Sequence, residues 1–199
     1  MRERPILFSG SMVRAIFEGR KTQTRRVIKR PEQWMIEDYA PGVAMAEDGN
    51  GDSYDVSTRC PYGRPGDTLW VRETHFVLKA GYKDGTDRDI VYRADDPDWP
   101  YGWIPSIHMP RGASRITLRI TNVRVERVQD ISVKDAKAEG WNVDTVLFPL
   151  VNTRDKAVSW FRNLWNSINA KRGYSWESNP WVWVIEFEPI MANIDEVMK

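Results

Sequence analysis

Residues 5–26 read PILFSGSMVRAIFEGRKTQTRR, and the order of chemistry along this stretch decides the fold. Pro5–Ser9 is a short apolar run suited to a strand. Met12, Val13, Ile16 and Phe17 then recur at the spacing of one helix face, which predicts a helix over Ser11–Glu18. Ser9 or Ser11 is placed to cap its start, and Gly19 to end it. Gly19–Arg26 (GRKTQTRR) is polar and basic, and directly after a helix it reads as a turn.

Working outward, residues 31–66 are rich in Gly, Pro and Asp with little period, an excursion from the core with one hairpin expected around Trp34–Tyr39. Arg64-Pro65-Gly66-Asp67 is a turn signal, and Thr68–Arg72 and Ile90–Arg93 follow as strands. Asp95 to Pro110 is a loop rich in Pro and Trp. Arg115–Thr121 alternates, with Ile116, Leu118 and Ile120 on one face. The apolar parity then slips to Val123 and Val125, which predicts a bulge near Asn122. Ser132–Glu139 reads as a short helix with Ser132 and Asp135 in capping-box spacing and Gly140 after it. Arg154–Ala170 is an amphipathic helix, and Trp181–Glu188 is a strand with Trp181, Trp183, Ile185 and Phe187 on one face. Residues from Met191 onward read as a loose tail. These elements predict one α+β domain, a mixed and mostly antiparallel β-barrel with short helices. Its excursions cover 31–64 and 95–114, and its tail 190–199.

Several function classes are disfavoured by composition. The chain has 199 residues, with 29 basic and 28 acidic ones. Cys60 is the only cysteine and His75 and His108 the only histidines, so no metal site and no cofactor are expected. The apolar run after the charged start is too short for a signal peptide, and no run has membrane-spanning length, which leads to a cytoplasmic expectation with no membrane partner. Near-neutral charge conceals asymmetry. Arg14, Arg20, Lys21, Arg25, Arg26, Lys29 and Arg30 face only Glu18 between positions 14 and 30, and Arg111, Arg115, Arg119, Arg124 and Arg127 form a second basic segment. Two such segments point to a local anionic partner, a nucleotide phosphate or RNA.

The candidates for chemistry lie in the first basic segment. In a turn, Lys21 and Thr24 fall on one side. A desolvated lysine among other cations has a lowered pKa and takes a proton from a hydroxyl. Glu139 lies at the end of its helix, beside the negative pole of the dipole, a position suited to a proton donor. The phosphate-loop, dinucleotide and nucleophile-elbow signatures are absent.

The strand–helix–GRKTQTRR opening resembles the ASCH family, whose signature runs Gly-x-Lys-x-x-Glu-x-Arg. Gly19, Lys21 and Arg26 match it, and Thr24 stands where many members carry glutamate. Threonine there is similar to the branch of the family that hydrolyses N4-acetylcytidine. The resemblance continues through Pro65-Gly66-Asp67, the Ile131–Glu139 helix and Val184-Ile185-Glu186-Phe187. It implies a PUA-like barrel and catalytic roles for Lys21, Thr24 and Glu139, with Glu73 a competing candidate for the acid. It also implies a modified cytosine nucleoside as substrate, no cofactor, and a monomer. The long form, with Pro105–Arg111 and Trp181-Val182-Trp183, looks like ASCH proteins of phages and prophages. Arg26 is a candidate ligand for phosphate or carboxylate. Trp70, Trp103 and Trp181 are candidates for stacking on a base, and His108 and Arg111 for contacts from the loop. The reading that follows is an amidohydrolase acting at the exocyclic N4 of acylated cytosine. Its rivals are a non-catalytic RNA- or nucleotide-binding module and a ribonuclease.

Overall fold

A computed structural model describes residues 2–34, 36–40, 43–47, 52–78, 89–142 and 153–197. In chain order the elements are β1 (Glu3–Leu7), α1 (Gly10–Phe17), β2 (Gln23–Val27), β3 (Glu37–Ala40), β4 (Val43–Glu47), β5 (Ser53–Asp55), β6 (Thr68–Arg72), β7 (His75–Val77) and β8 (Ile90–Tyr92). They continue with β9 (Thr117–Arg127), α2 (Val133–Ala138), α3 (Thr153–Asn169), β10 (Trp181–Ile190) and α4 (Ile194–Val197). The class is α+β. The strands pair antiparallel except β1 with β6, which are parallel.

Five strands form the main sheet in the order β1-β6-β9-β10-β2. β10 lies inside the sheet, between β9 and β2, and its first half is buried on both faces. Trp181, Trp183, Ile185 and Phe187 join Ile6, Phe8, Leu69 and Ile120 in the main core. Val182 and Val184 face a second cluster built by Phe161 and Trp165 of α3 and Ala136 of α2. The parity slip in β9 is a bulge: Glu186 pairs with Asn122 but Phe187 with Ile120, leaving Thr121 as the extra residue.

The sheet is not a closed barrel, contrary to the sequence expectation. Among the described residues its two edges, β1 and β2, do not pair with each other. They curl towards one another, and the Arg26 guanidinium of one edge donates to the Leu7 carbonyl of the other at 2.8 Å. Side chains of Phe8 and Arg26 occupy the gap where ladder bonds would close the sheet.

Three further expectations are corrected. Gly19–Arg26 is a turn only at its start. Gly19 has φ +69°, and the amides of Arg20 and Lys21 both donate to Ala15 O at 2.9 Å, which reverses the chain after α1. From Gln23 the chain is extended as β2, with Gln23, Thr24 and Arg25 all buried. The excursion holds a three-stranded sheet, β3-β4-β5, in place of a hairpin around Trp34–Tyr39. Ala44, Ala46, Val56 and Cys60 carry it into the main core. Nor is the tail loose. Ile194 is fully buried, and the Asn193 side-chain amide donates to the carbonyls of Arg111, Gly112 and Ser114.

Candidate active site

Lys21 follows the reversal after α1 and forms an isolated antiparallel bridge with Glu139. Its partner sits where α2 ends. Ser132 and Asp135 close a capping box at the start of that helix, Glu139 is its C-cap, and Gly140 turns the chain at φ +108°. Thr22 N donates to Ala138 O at 2.9 Å, which sets the entry to β2 against the end of α2. Two segments far apart in sequence thus present a lysine and a glutamate to each other.

Both are removed from solvent, Lys21 at 0% exposure and Glu139 at 4%. Lys21 Nζ donates to Glu139 Oε2 at 2.8 Å, to Gln23 O at 2.7 Å and to Glu139 O at 3.1 Å. An ammonium has three N–H donors, and these acceptors take all of them. Burial pulls the Lys21 pKa below its ordinary value. Glu139 opposes that shift, while Arg26 and Arg25 add to it. The other carboxylate oxygen, Glu139 Oε1, accepts from Arg25 Nη1 at 3.4 Å. Arg25 also pairs with Glu126 at 3.0 Å and Asp135 at 3.5 Å, and lies over the Phe161 ring at 5.6 Å.

Thr24 is buried on β2, in register with Ile185 of β10. On an extended strand, residues three apart point to opposite faces, so the helical-turn spacing that put Lys21 and Thr24 on one side does not apply. Thr24 and Arg26 share the main-core face, and Arg25 faces α3. The long Lys21 side chain ends at the carboxylate, 5.4 Å from the centre of the Phe8 ring.

A cavity of about 680 Å³ opens between the two sheet edges and α3. Thr24, Arg25, Arg26 and Glu139 form one part of its wall. Leu7, Phe8, Tyr62, Phe161, Trp165 and Tyr174 supply apolar and aromatic surface. Lys21 lies behind this wall and meets the cavity through Glu139.

The remaining sequence candidates are elsewhere. Glu73 is buried but committed to Arg115, which donates from Nε at 2.8 Å and from Nη2 at 3.1 Å; burial raises its pKa while Arg115 lowers it. Of the two candidate acids, the one on Lys21 is Glu139. Trp181 belongs to the main core, with the Arg127 guanidinium 4.1 Å from its ring centre. Trp70 is half-buried on β6 beneath Arg72. Trp103 is half-buried and His108 exposed, both outside the cavity wall. Arg111 pairs with Glu3 at 2.6 Å and Asp195 at 2.7 Å. Of the proposed ligand contacts, only Arg26 lines the cavity.

Sequence reasoning missed the aromatic half of the wall. Phe161 and Trp165 read as core positions of an amphipathic helix, which they are, and only the gap beside β2 exposes their edges to a cavity. Among the described residues, no group of three or more His, Cys, Asp or Glu could hold a metal, and no helix is long and apolar enough to cross a membrane.

No family model matches the chain, and no curated protein matches it. Among solved structures, it is similar to that of protein EF3133 from Enterococcus faecalis, described under the family model DUF984. The TM-score is 0.46 at 10% sequence identity, over 100% of this chain and 82% of that one. Neither the fold nor the site described above rests on that likeness.

Proposed function

We propose that this cavity is the active site of an amidohydrolase of PUA-like, ASCH-type architecture that removes an acyl group from the exocyclic N4 of a cytosine nucleoside. The observation that carries the reading is the buried Lys21–Glu139 pair, whose Glu139 lines a cavity that Thr24 also lines. Burial of a full ion pair is expensive, and apolar residues of similar size stabilise such positions as well or better. A lysine with a lowered pKa beside a carboxylate is suited to moving a proton at neutral pH.

In this mechanism the Thr24 oxygen attacks the acyl carbon, and the Lys21–Glu139 pair takes the hydroxyl proton. Glu139, the member that lines the cavity, delivers that proton to N4 as the carbon–nitrogen bond breaks. Cytidine leaves, and an acyl ester remains on Thr24. Water then attacks the ester, the pair accepts a proton from it and returns one to the Thr24 oxygen, and a carboxylic acid departs. Aromatic faces in the wall offer stacking surface for the base. Turnover of N4-acetylcytidine by purified protein is the test, with Thr24→Ala and Lys21→Ala each expected to abolish it.

One observation favours a second reading. In the structure Lys21 Nζ already has three acceptors, none of them Thr24. A module that binds a cytosine nucleotide without turning it over would show tight binding and no released acyl group.

A further inference from the structure

The cavity carries more positive charge than the proposed hydrolysis uses. Its wall includes Arg26, Lys29 and Arg172. None of these three forms an ion pair with a described residue. The carboxylate in the same wall, Glu139, is already shared by Lys21 and Arg25. Arg26 donates from Nη2 to Leu7 O, and its guanidinium lies 5.1 Å from the centre of the Phe8 ring, yet its Nε is buried without an acceptor. Burial disfavours the charge on Arg26; Tyr62 and Glu139 oppose that shift, and the charge of Arg172 adds to it. Like charges are gathered here, with a buried donor left over.

Resting on the cytosine reading above, we infer that the ligand carries a phosphate monoester on its sugar. The base would lie against Thr24 and Glu139 and the phosphate against Arg26, Lys29 and Arg172. Arg26 is two residues beyond Thr24 on the same face of β2, about 7 Å along the strand, so one ligand reaches both. A phosphate oxygen supplies the acceptor that Arg26 Nε lacks, in the charge-assisted geometry that guanidinium favours. A bare nucleoside leaves all three cations without an ion-pair partner among the described residues. A dianionic monoester offsets them better than the single charge of an internucleotide diester, which points to a free mononucleotide in preference to a polymer.

The test compares the affinity of the full chain for cytidine, for the tighter of its 5′- and 3′-monophosphates, and for a cytidine dinucleotide, by calorimetry at low and high salt. The monophosphate is expected to bind about tenfold to a hundredfold more tightly than cytidine at low salt, as one charged hydrogen-bonding group allows, with the gain shrinking as salt screens it. Lys29→Ala and Arg172→Ala alter exposed side chains, and each should bring the ratio of monophosphate to nucleoside affinity towards one. Equal affinities for cytidine and its monophosphates in the unaltered chain overturn the inference, and a dinucleotide that binds more tightly than either monophosphate overturns the mononucleotide assignment. Turnover separates the two proposals. Hydrolysis of N4-acetylcytidine with no phosphate preference leaves the hydrolase standing and removes the phosphate site, whereas a phosphate preference without hydrolysis does the reverse.

Discussion

Lys21 and Glu139 depend on each other because neither charge has water to turn to. Replacing Glu139 with Gln strands the lysine, and breaking a buried pair in this way costs about 3–5 kcal/mol; a lowered urea midpoint would report it. A Lys21→Met, Glu139→Leu double replacement removes both charges together, and a large share of the lost stability is expected to return. Turnover should not return with it. Recovery of both would mean that the pair only fastens β2 to the end of α2.

Titration of Lys21 gives a second check at this scale. Burial lowers its pKa in the folded chain, so the unfolded chain binds the proton more tightly. Stability linked to this group therefore rises with pH from the lowered folded value up to the ordinary 10.5, where the unfolded lysine also loses its proton. The difference in unfolding free energy between the protein and its Lys21→Met variant should grow in favour of the protein across that window. A difference independent of pH would show that Lys21 titrates in the folded chain as it does in the unfolded one.

Between elements, the site is an alignment of the end of α2 with the start of β2, and Gly140 fixes it. At φ +108° an L side chain is strained, and a Cβ there would lie 3.1 Å from Ala15 Cβ and 3.6 Å from Lys21 Cβ. Gly140→Ala is expected to destabilise the fold by about 1–3 kcal/mol and to cut turnover by shifting Lys21; an unchanged melting temperature and rate would contradict that. Features set by near neighbours were legible in the sequence. Ser132 with Asp135 and Gly19 after α1 each rest on bonds within a few residues, and the parity slip shows in the alternation of β9 itself, although the bulge it marks at Thr121 lies in the pairing with β10. β2 was not, because its Arg25 finds its partners 101 and 114 positions away, in Glu126 and Glu139. Without those partners GRKTQTRR can only look like solvated turn. The same distance hid the packing of Asn193 against 111–114, and it made Trp181 and Trp70 look like ligand contacts when one is core and the other lies beside Arg72.

On the scale of the whole molecule, the cavity exists because the sheet stays open. Five strands curl until β1 and β2 face each other, and a guanidinium reaches across where a fifth, closing ladder would run. A net charge of +1 gives no hint that Arg26, Lys29 and Arg172 gather at this opening. The end of the chain helps to hold the far side of the sheet. Thr117 Oγ1 donates to Ala192 O at 3.0 Å, and the Asn193 amide ties three carbonyls before β9. Asn193→Ala leaves those carbonyls to find other donors, with an expected loss of about 1–3 kcal/mol, measured by urea unfolding; no loss would return the tail to the loose segment its sequence suggested.

The most direct test is release of cytidine and acetate from N4-acetylcytidine, followed for the purified protein and for Thr24→Ala. The account predicts steady turnover by the protein and none by the variant, whose folded state should be intact by circular dichroism. No release by the unaltered protein, or undiminished release by Thr24→Ala, would contradict it.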